Sequence, residues 1–308
     1  MGKIDLHNQK ILVTGGNGYL GKFLVKALQN EGAEVFVVDK NIEASEHHFA
    51  LDITDRNRVN TVVQQIQPDI VFHLAALLHR ERNFDHFDLL DQVNHQGTFN
   101  LLMALKDLPY KNFIFTGTSE IYGDNKAPFT ETQLPDPVSP YSLTKVYSEN
   151  LIRTFSKLYQ KNYTIVRLFN FYGENMPKQF FIPQLIHALQ NQDHFDMTLG
   201  EQNRDFLYVK DVVNGLILAA KNTEYKQQTY NLCSGKAVSL RQLVETIKTQ
   251  LDSHCVINFG ALPYRKNEVW NMLGDNTKIK KQLGFAVKYS LEEGIKELGE
   301  RGKERGKR

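Results

Sequence analysis

A doubly wound parallel sheet of the α/β class is predicted by three features of this 308-residue chain. Apolar runs of strand type alternate with stretches of helical spacing, a glycine-rich turn joins the first strand to the first helix, and an acidic residue closes the second strand. Lys10 to Thr14 read KILVT, and from Tyr19 to Leu28 the residues Leu20, Leu24 and Leu28 fall on one helical stripe. Between them lies TGGNGYLG, Thr14 to Gly21. In a strand-to-helix turn Gly15 permits the tight bend, Gly18 lets backbone approach a pyrophosphate, and Gly21 lets the helix pack close to the strand. The free N–H groups and positive dipole end of that helix then face the phosphates. Strand Glu34 to Val38 follows and runs into Asp39, where an acid accepts hydrogen bonds from the adenosine ribose. A carboxylate there repels a 2′-phosphate, so NAD is favoured over NADP.

The remaining elements follow the same alternation. Ile70 to Ala76, Asn112 to Thr116 and Tyr163 to Leu168 read as a third, fourth and fifth buried strand. Helical stretches run from Arg56 to Gln67, Val93 to Leu105 and Tyr141 to Gln160. After residue 168 the character changes. Gly173, Pro177 and Pro183 interrupt a long segment before a short strand, Thr229 to Cys233, and a helix from Leu240 to Leu251. This later part reads as a smaller cap. Residues 301–308, RGKERGKR, read as a charged tail.

Composition narrows the function classes. Lys plus Arg is 37 against Asp plus Glu 35, a net charge of +2, which gives no electrostatic case for nucleic acid or a membrane surface. The only cysteines, Cys233 and Cys255, form no paired motif, which argues against a disulfide scaffold, a zinc knuckle or a redox dithiol and suits the reducing cytoplasm. No apolar run is long enough to span a bilayer, and the first strand begins too early for a signal peptide, so no export is expected. The ten histidines show no metal-ligand spacing: His47 and His48 fall in a polar loop, and His73, His79 and His86 stand too far apart for a helical pair. No metal is expected.

Chemistry concentrates in the middle of the chain. Tyr141 and Lys145, in the segment YSLTK, lie four apart at a helix start, on one face. The ammonium is expected to lower the phenol's pKa and make Tyr141 an acid and base. Pro140, with Pro128, Pro135 and Pro137 in the loop before it, would deliver this helix start to a pocket rim. A Tyr-x-x-x-Lys spacing alone is commonplace.

The ordered set TGGNGYLG, Asp39, HLAA, TSEIYG, YSLTK, RLFNFYG and RDFLYVKD resembles the extended short-chain dehydrogenase/reductase family, in its nucleotide-sugar epimerase and dehydratase branch, over roughly residues 10 to 290. The resemblance implies a Rossmann domain for NAD over residues 1–168, with a returning segment near 205–232. It implies a cap for a nucleotide-diphosphate sugar over 169–204 and 233–300, and transient oxidation at the sugar's C4. Gly15, Asn17, Gly18, Tyr19, Leu20 and Gly21 match the pyrophosphate loop, Asp52 and Ile53 the adenine clamp, and Leu74, Ala75 and Ala76 the strand end beside the cofactor. Thr118, Tyr141 and Lys145 match the catalytic triad; Ser119 and Asn170 fall in the substrate region, and Arg204 and Arg265 match clamps on nucleotide phosphates.

The triplet Thr118-Ser119-Glu120 separates reactions within this branch. An epimerase needs no carboxylate at the third position. A 4,6-dehydratase must remove the C5 proton and expel the C6 hydroxyl, and Glu120 can serve as base and then acid. The sequence therefore favours a 4,6-dehydratase, with a 4-epimerase, a nucleotide-uronate decarboxylase and a 4-keto reductase as alternatives. A regulatory protein that senses NAD on the same fold is the non-enzyme alternative, and the intact triad argues against it. Helix Tyr141 to Gln160 carries Leu143, Val146, Tyr147, Leu151, Ile152, Phe155 and Leu158 on more than one face, which suggests a helix-to-helix homodimer or burial inside one subunit.

Overall fold

The computed structural model describes residues 4–79 and 81–305. The chain begins β1 (Lys10–Thr14), α1 (Tyr19–Asn30), β2 (Glu34–Asp39), β3 (His48–Ala50), α2 (Arg56–Ile66) and β4 (Ile70–His73). A helical run follows as α3 (Phe87–Leu90), a π-helical turn over Asp91–Gln96 and α4 (Gly97–Leu105), then β5 (Asn112–Thr118), a 3-10 turn over Ser119–Tyr122, α5 (Pro140–Tyr159) and β6 (Tyr163–Leu168). Beyond these lie β7 (Asn170–Tyr172), α6 (Phe181–Asn191), β8 (His194–Met197), β9 (Asn203–Tyr208), α7 (Val209–Lys221) and β10 (Gln228–Leu232). The chain ends with β11 (Ala237–Ser239), α8 (Leu240–Leu251), β12 (Val256–Phe259), β13 (Asn271–Met272), α9 (Thr277–Leu283) and α10 (Leu291–Arg305). The first five residues of the charged tail thus continue a helix, and 306–308 lie outside the described residues.

Seven strands form one sheet in the order β10-β6-β5-β4-β1-β2-β3, every pair parallel. The predicted doubly wound sheet is therefore present. From β1 the chain winds outward to β2 and β3, then returns to β4 and winds the other way, so the crevice between the ends of β1 and β4 is the switch point where such sheets bind ligands. One apolar layer packs Leu24, Leu28, Val212 and Leu216 against one face, and a second packs Val59, Val63, Leu101 and Ile152 against the other. A smaller sheet, β11-β9-β13 with β7 beside β9, and the pair β12-β8 lie apart from it, over a separate core that includes Leu185, Leu243 and Ile247. Among the described residues no helix is long and apolar enough to cross a membrane.

Two differences from the sequence reading bear on the site. The third strand stops at His73 rather than Ala76. Leu74 N–H makes the last ladder bond, to Thr14 O at 3.1 Å, and Ala75 N–H donates instead to the Thr14 hydroxyl at 3.3 Å, where the chain leaves the sheet beside the glycine loop. The helical run expected from Val93 begins earlier, at Phe87, and passes through the π turn, which carries Asn94.

Buried polar groups fix the frame. The His73 ring sits 2.6 Å from the Thr14 hydroxyl and 2.9 Å from that of Thr98, tying β1, β4 and α4 together. Burial, and then the Lys145 charge, push its pKa down to about 3, so it is a neutral core imidazole. Arg167 on β6 meets Glu149 on α5 with two bonds, 3.0 and 2.8 Å, and donates to the Tyr122 hydroxyl at 2.7 Å. Both charges are buried, and this forked pairing is the geometry that repays their desolvation. It holds α5, and with it Tyr141 and Lys145, to β6 and to the 3-10 turn after β5.

Candidate active site

At the switch point the turn after β1 is shaped by absent side chains. Gly15 has φ +73°, and a Cβ there would stand 2.7 Å from Ala75 N and 2.8 Å from its Cα. A Cβ on Gly21 would stand 2.2 Å from Gly15 O, so helix α1 seats directly on the turn. Gly18 caps α1 and supplies no side chain to its first N–H groups. That leaves a cradle for an anion. Asp39 closes it from β2: its two carboxylate oxygens accept from Asn17 N–H at 3.1 Å and from Asn41 N–H at 3.0 Å. Tyr19, stacked on Phe171 with 6.1 Å between ring centres, has a buried hydroxyl with no partner among the described residues. Glycines at the pyrophosphate, an unfilled helix start and a carboxylate at the ribose position together fit NAD.

The side chains that the sequence marks as catalytic candidates arrive from two other elements. Thr118 ends β5, and its hydroxyl accepts from Glu120 N–H at 3.2 Å, capping the 3-10 turn that carries Ser119 and Glu120. Ser139 caps α5 through a reciprocal box with Ser142, both bonds 3.1 Å, and Pro140 opens the first turn. This start places Tyr141 at the cleft and Lys145 one turn further, with its Nζ 4.2 Å above the Phe115 ring. A hydrogen bond joins the Tyr141 hydroxyl to Thr118.

Electrostatics here correct one expectation. The phenol of Tyr141 is held above its ordinary pKa, chiefly by burial and then by the negative charge of Glu120, with the Thr118 hydrogen bond the one opposing cause. Lys145 does not bring it toward neutrality, because burial lowers the lysine's own pKa to about 7 against a smaller upward pull from Glu149. Sequence spacing gave the shared face but not the depth of burial. The same shift has a consequence for stability. The folded chain releases the Lys145 proton near pH 7 and the unfolded chain near 10.5, so between these values this group makes stability rise with pH. Lys145→Met should therefore raise the Tm of the cofactor-free protein most at pH 7 and below, with the gain closing toward pH 10.5. A Tm difference independent of pH would assign the cost elsewhere.

One cleft of about 780 Å³ joins these parts. Of the residues singled out from sequence, Gly15, Gly18, Tyr19, Leu20, Gly21, Leu74 and Ala76 line it on the glycine-loop side, and Thr118, Glu120, Tyr141 and Lys145 on the side of β5 and α5. Asn170, Arg204 and Arg265 line it from beyond residue 168. Others stand behind this wall. Asn17 and Asp39 brace the glycine loop, Asp52 accepts from Thr54 N–H at 2.9 Å, and Ile53 is buried. Ala75 packs against Gly15, and Ser119 is buried with its hydroxyl 3.3 Å from Met272 Sδ. Arg204 is tied to Glu268, to Val269 O at 2.7 Å and to Asn203 O at 2.8 Å, and the nearby charges of Arg82 and Arg265 act on it.

Sequence reasoning missed Asn94 and Arg82. Asn94 is 2% exposed; it pins the loop after β4 through Leu77, accepting at 2.7 Å and donating at 3.0 Å, and donates to Thr144 on α5 at 3.0 Å. Its only signal in the sequence is an unremarked asparagine inside a helix, and the π turn that presents it cannot be read from spacing. Arg82 lines the cleft beside Arg204 and Arg265 and completes a cationic sector suited to a diphosphate.

NAD should bind more tightly than NADP by roughly tenfold or more, because the 2′-phosphate of NADP meets the Asp39 carboxylate as a like charge. Calorimetry on cofactor-stripped protein measures this, and equal affinities would remove Asp39 from the ribose.

Comparison with known proteins agrees with this geometry. Residues 12–298 match the family model described as GDP-mannose 4,6 dehydratase. The chain is 32% identical over 316 residues to a UDP-N-acetyl-alpha-D-glucosaminuronate decarboxylase of Bacillus cytotoxicus, covering 94% of this chain and 96% of that one. Among solved structures, UDP-glucose 4-epimerase of Thermotoga maritima with UDP-glucose superposes with a TM-score of 0.88 at 29% identity, covering 96% of this chain and 99% of that one. MoeE5 in complex with UDP-glucuronic acid and NAD superposes with a TM-score of 0.86 at 27% identity, covering 96% and 99%. With the switch-point cradle, the Thr118, Tyr141 and Lys145 cluster and these matches in agreement, the chain belongs to the extended short-chain dehydrogenase/reductase family of NAD-dependent nucleotide-sugar epimerases and dehydratases.

Proposed function

We propose that this enzyme is a nucleotide-diphosphate-sugar 4,6-dehydratase. The observation that carries the reading is Glu120, a carboxylate in the same cleft as Tyr141 and close enough for its charge to raise the phenol's pKa. Epimerisation at C4 needs no such group; elimination across C5 and C6 does. In this mechanism Tyr141 moves the proton of the C4 hydroxyl at its phenolic oxygen, and Thr118 holds that oxygen and favours the charged phenolate. The glycine loop and Asp39 would hold NAD, which would supply the hydride chemistry at the sugar. Lys145, one turn along α5 from Tyr141 in the same cleft, would orient the nicotinamide ribose. Glu120 takes the C5 proton, which the C4 ketone acidifies, and gives a proton to the departing C6 hydroxyl, so one water leaves. Arg82, Arg204 and Arg265 bind the diphosphate.

A second reading is favoured by Arg82 and by the decarboxylase relative. With a carboxylate at C5 the C4 ketone makes a β-keto acid, and Arg82 would hold that carboxylate until carbon dioxide leaves. Product mass separates the two: loss of one water supports the dehydratase, and loss of one carbon dioxide the decarboxylase. Unchanged mass supports a 4-epimerase.

We also propose that the protein is a homodimer through α5. Ile152 and Phe155 face the core, while Leu158 is 69% exposed, and Tyr147, Tyr159 and Leu89 on α3 are exposed as well. Sedimentation should show a dimer that Leu158→Glu converts to monomer, since a desolvated charge in an apolar contact is costly. A monomeric parent protein would remove the proposal.

A further inference from the structure

We propose that His79, Glu81 and His86 bind a divalent transition-metal ion, zinc by preference, at the rim of the cleft. One ligand atom from each side chain lies within 4.8 Å of the other two. The two imidazole rings stand 4.2 Å apart between centres, and His86 Nε2 is 3.9 Å from the Glu81 carboxylate. Around zinc, bonds of about 2.0–2.1 Å set neighbouring ligand atoms about 3.3 Å apart, so small side-chain rotations close the set. A turn before α3 makes the approach: Asp85 N–H donates to Asn83 Oδ1 at 3.2 Å and Phe87 N–H to Phe84 O at 3.0 Å, folding His86 back toward His79.

The donor set selects the ion. Two imidazole nitrogens and one carboxylate oxygen suit zinc, whereas magnesium and calcium demand oxygen. Three protein ligands leave one tetrahedral position for water or for an anionic group in the cleft, which His79 and Arg82 both line. The expectation of no metal rested on helical spacing, and these ligands are assembled by a loop.

The test uses the full chain loaded with NAD, free of any added histidine tract and stripped by a chelator. Calorimetric titration with zinc chloride should show one ion per chain, magnesium chloride should show none, and cobalt should give the visible absorption of a four-coordinate site. His79→Ala and His86→Ala should lose the binding and Glu81→Gln should weaken it, while His194→Ala, an exposed histidine on β8, should leave it unchanged. Glu81 and His86 are exposed, so in chelator their variants should melt with the parent's Tm. Absence of zinc binding by the parent, or undiminished binding by a correctly melting His86→Ala, would overturn the proposal.

Discussion

Tyr141→Phe is expected to lower turnover by roughly 10²–10⁴-fold, the range for loss of a positioned acid or base. The phenylalanine ring fills the same space at the start of α5, so the capping box of Ser139 and Ser142 and the packing beneath it are undisturbed. Only the hydroxyl is lost, and with it the hydrogen bond to Thr118. That bond contributes about 0.5–1.5 kcal/mol, too little to unfold the site. NAD affinity should stay near that of the parent, because the glycine loop and Asp39 reach the cofactor from the opposite wall. The contrast between lost turnover and retained binding is the signature of an interaction made during proton transfer. Steady-state kinetics together with calorimetry give both numbers, and near-parental activity in this variant would move the acid and base to another residue.

Most of the parallel sheet was legible because strands buried on both faces are written as continuous apolar runs. KILVT and YTIVRL coincide with β1 and β6, and the amphipathic stretch from Leu240 to Leu251 coincides with α8. The short strand β3 was not, since His48-Phe-Ala50 is partly exposed and is held by pairing with Val37 to Asp39 rather than by its own pattern. Likewise β13, two residues long, is a strand only because β9 lies beside it. In the site the glycines, Asp39, Tyr141 and Lys145 could be read because local backbone geometry or helical register fixes what each can do, whereas Thr118 was marked through the family resemblance. Asn94 and Arg82 could not, because their positions depend on a π turn and on a loop that meets residues far away in sequence, as when Arg82 donates to Lys266 O at 3.3 Å. The pKa of Tyr141 was misjudged for a related reason: desolvation belongs to the packed molecule, and spacing carries no record of it.

Glu120→Gln has the second large effect, and it decides the reaction. The substitution keeps the shape of the side chain and the N–H bond from residue 120 to the Thr118 hydroxyl, so the 3-10 turn survives. What disappears is the ability to take and give a proton. For a dehydratase, loss of water from C6 should fall by roughly 10²–10⁴-fold while oxidation at C4, which Tyr141 serves, continues. Removing the carboxylate also removes one of the two causes that hold the Tyr141 phenol high, so its pKa should fall and the alkaline activity associated with Tyr141 should shift to lower pH. The parent enzyme in heavy water should yield a product lighter by one water and labelled at C5, because the proton that Glu120 removes exchanges with solvent before it is replaced. A nucleotide sugar of unchanged mass with inverted C4, formed equally well by the parent and by Glu120→Gln, would make this an epimerase and leave Glu120 with no part in the chemistry.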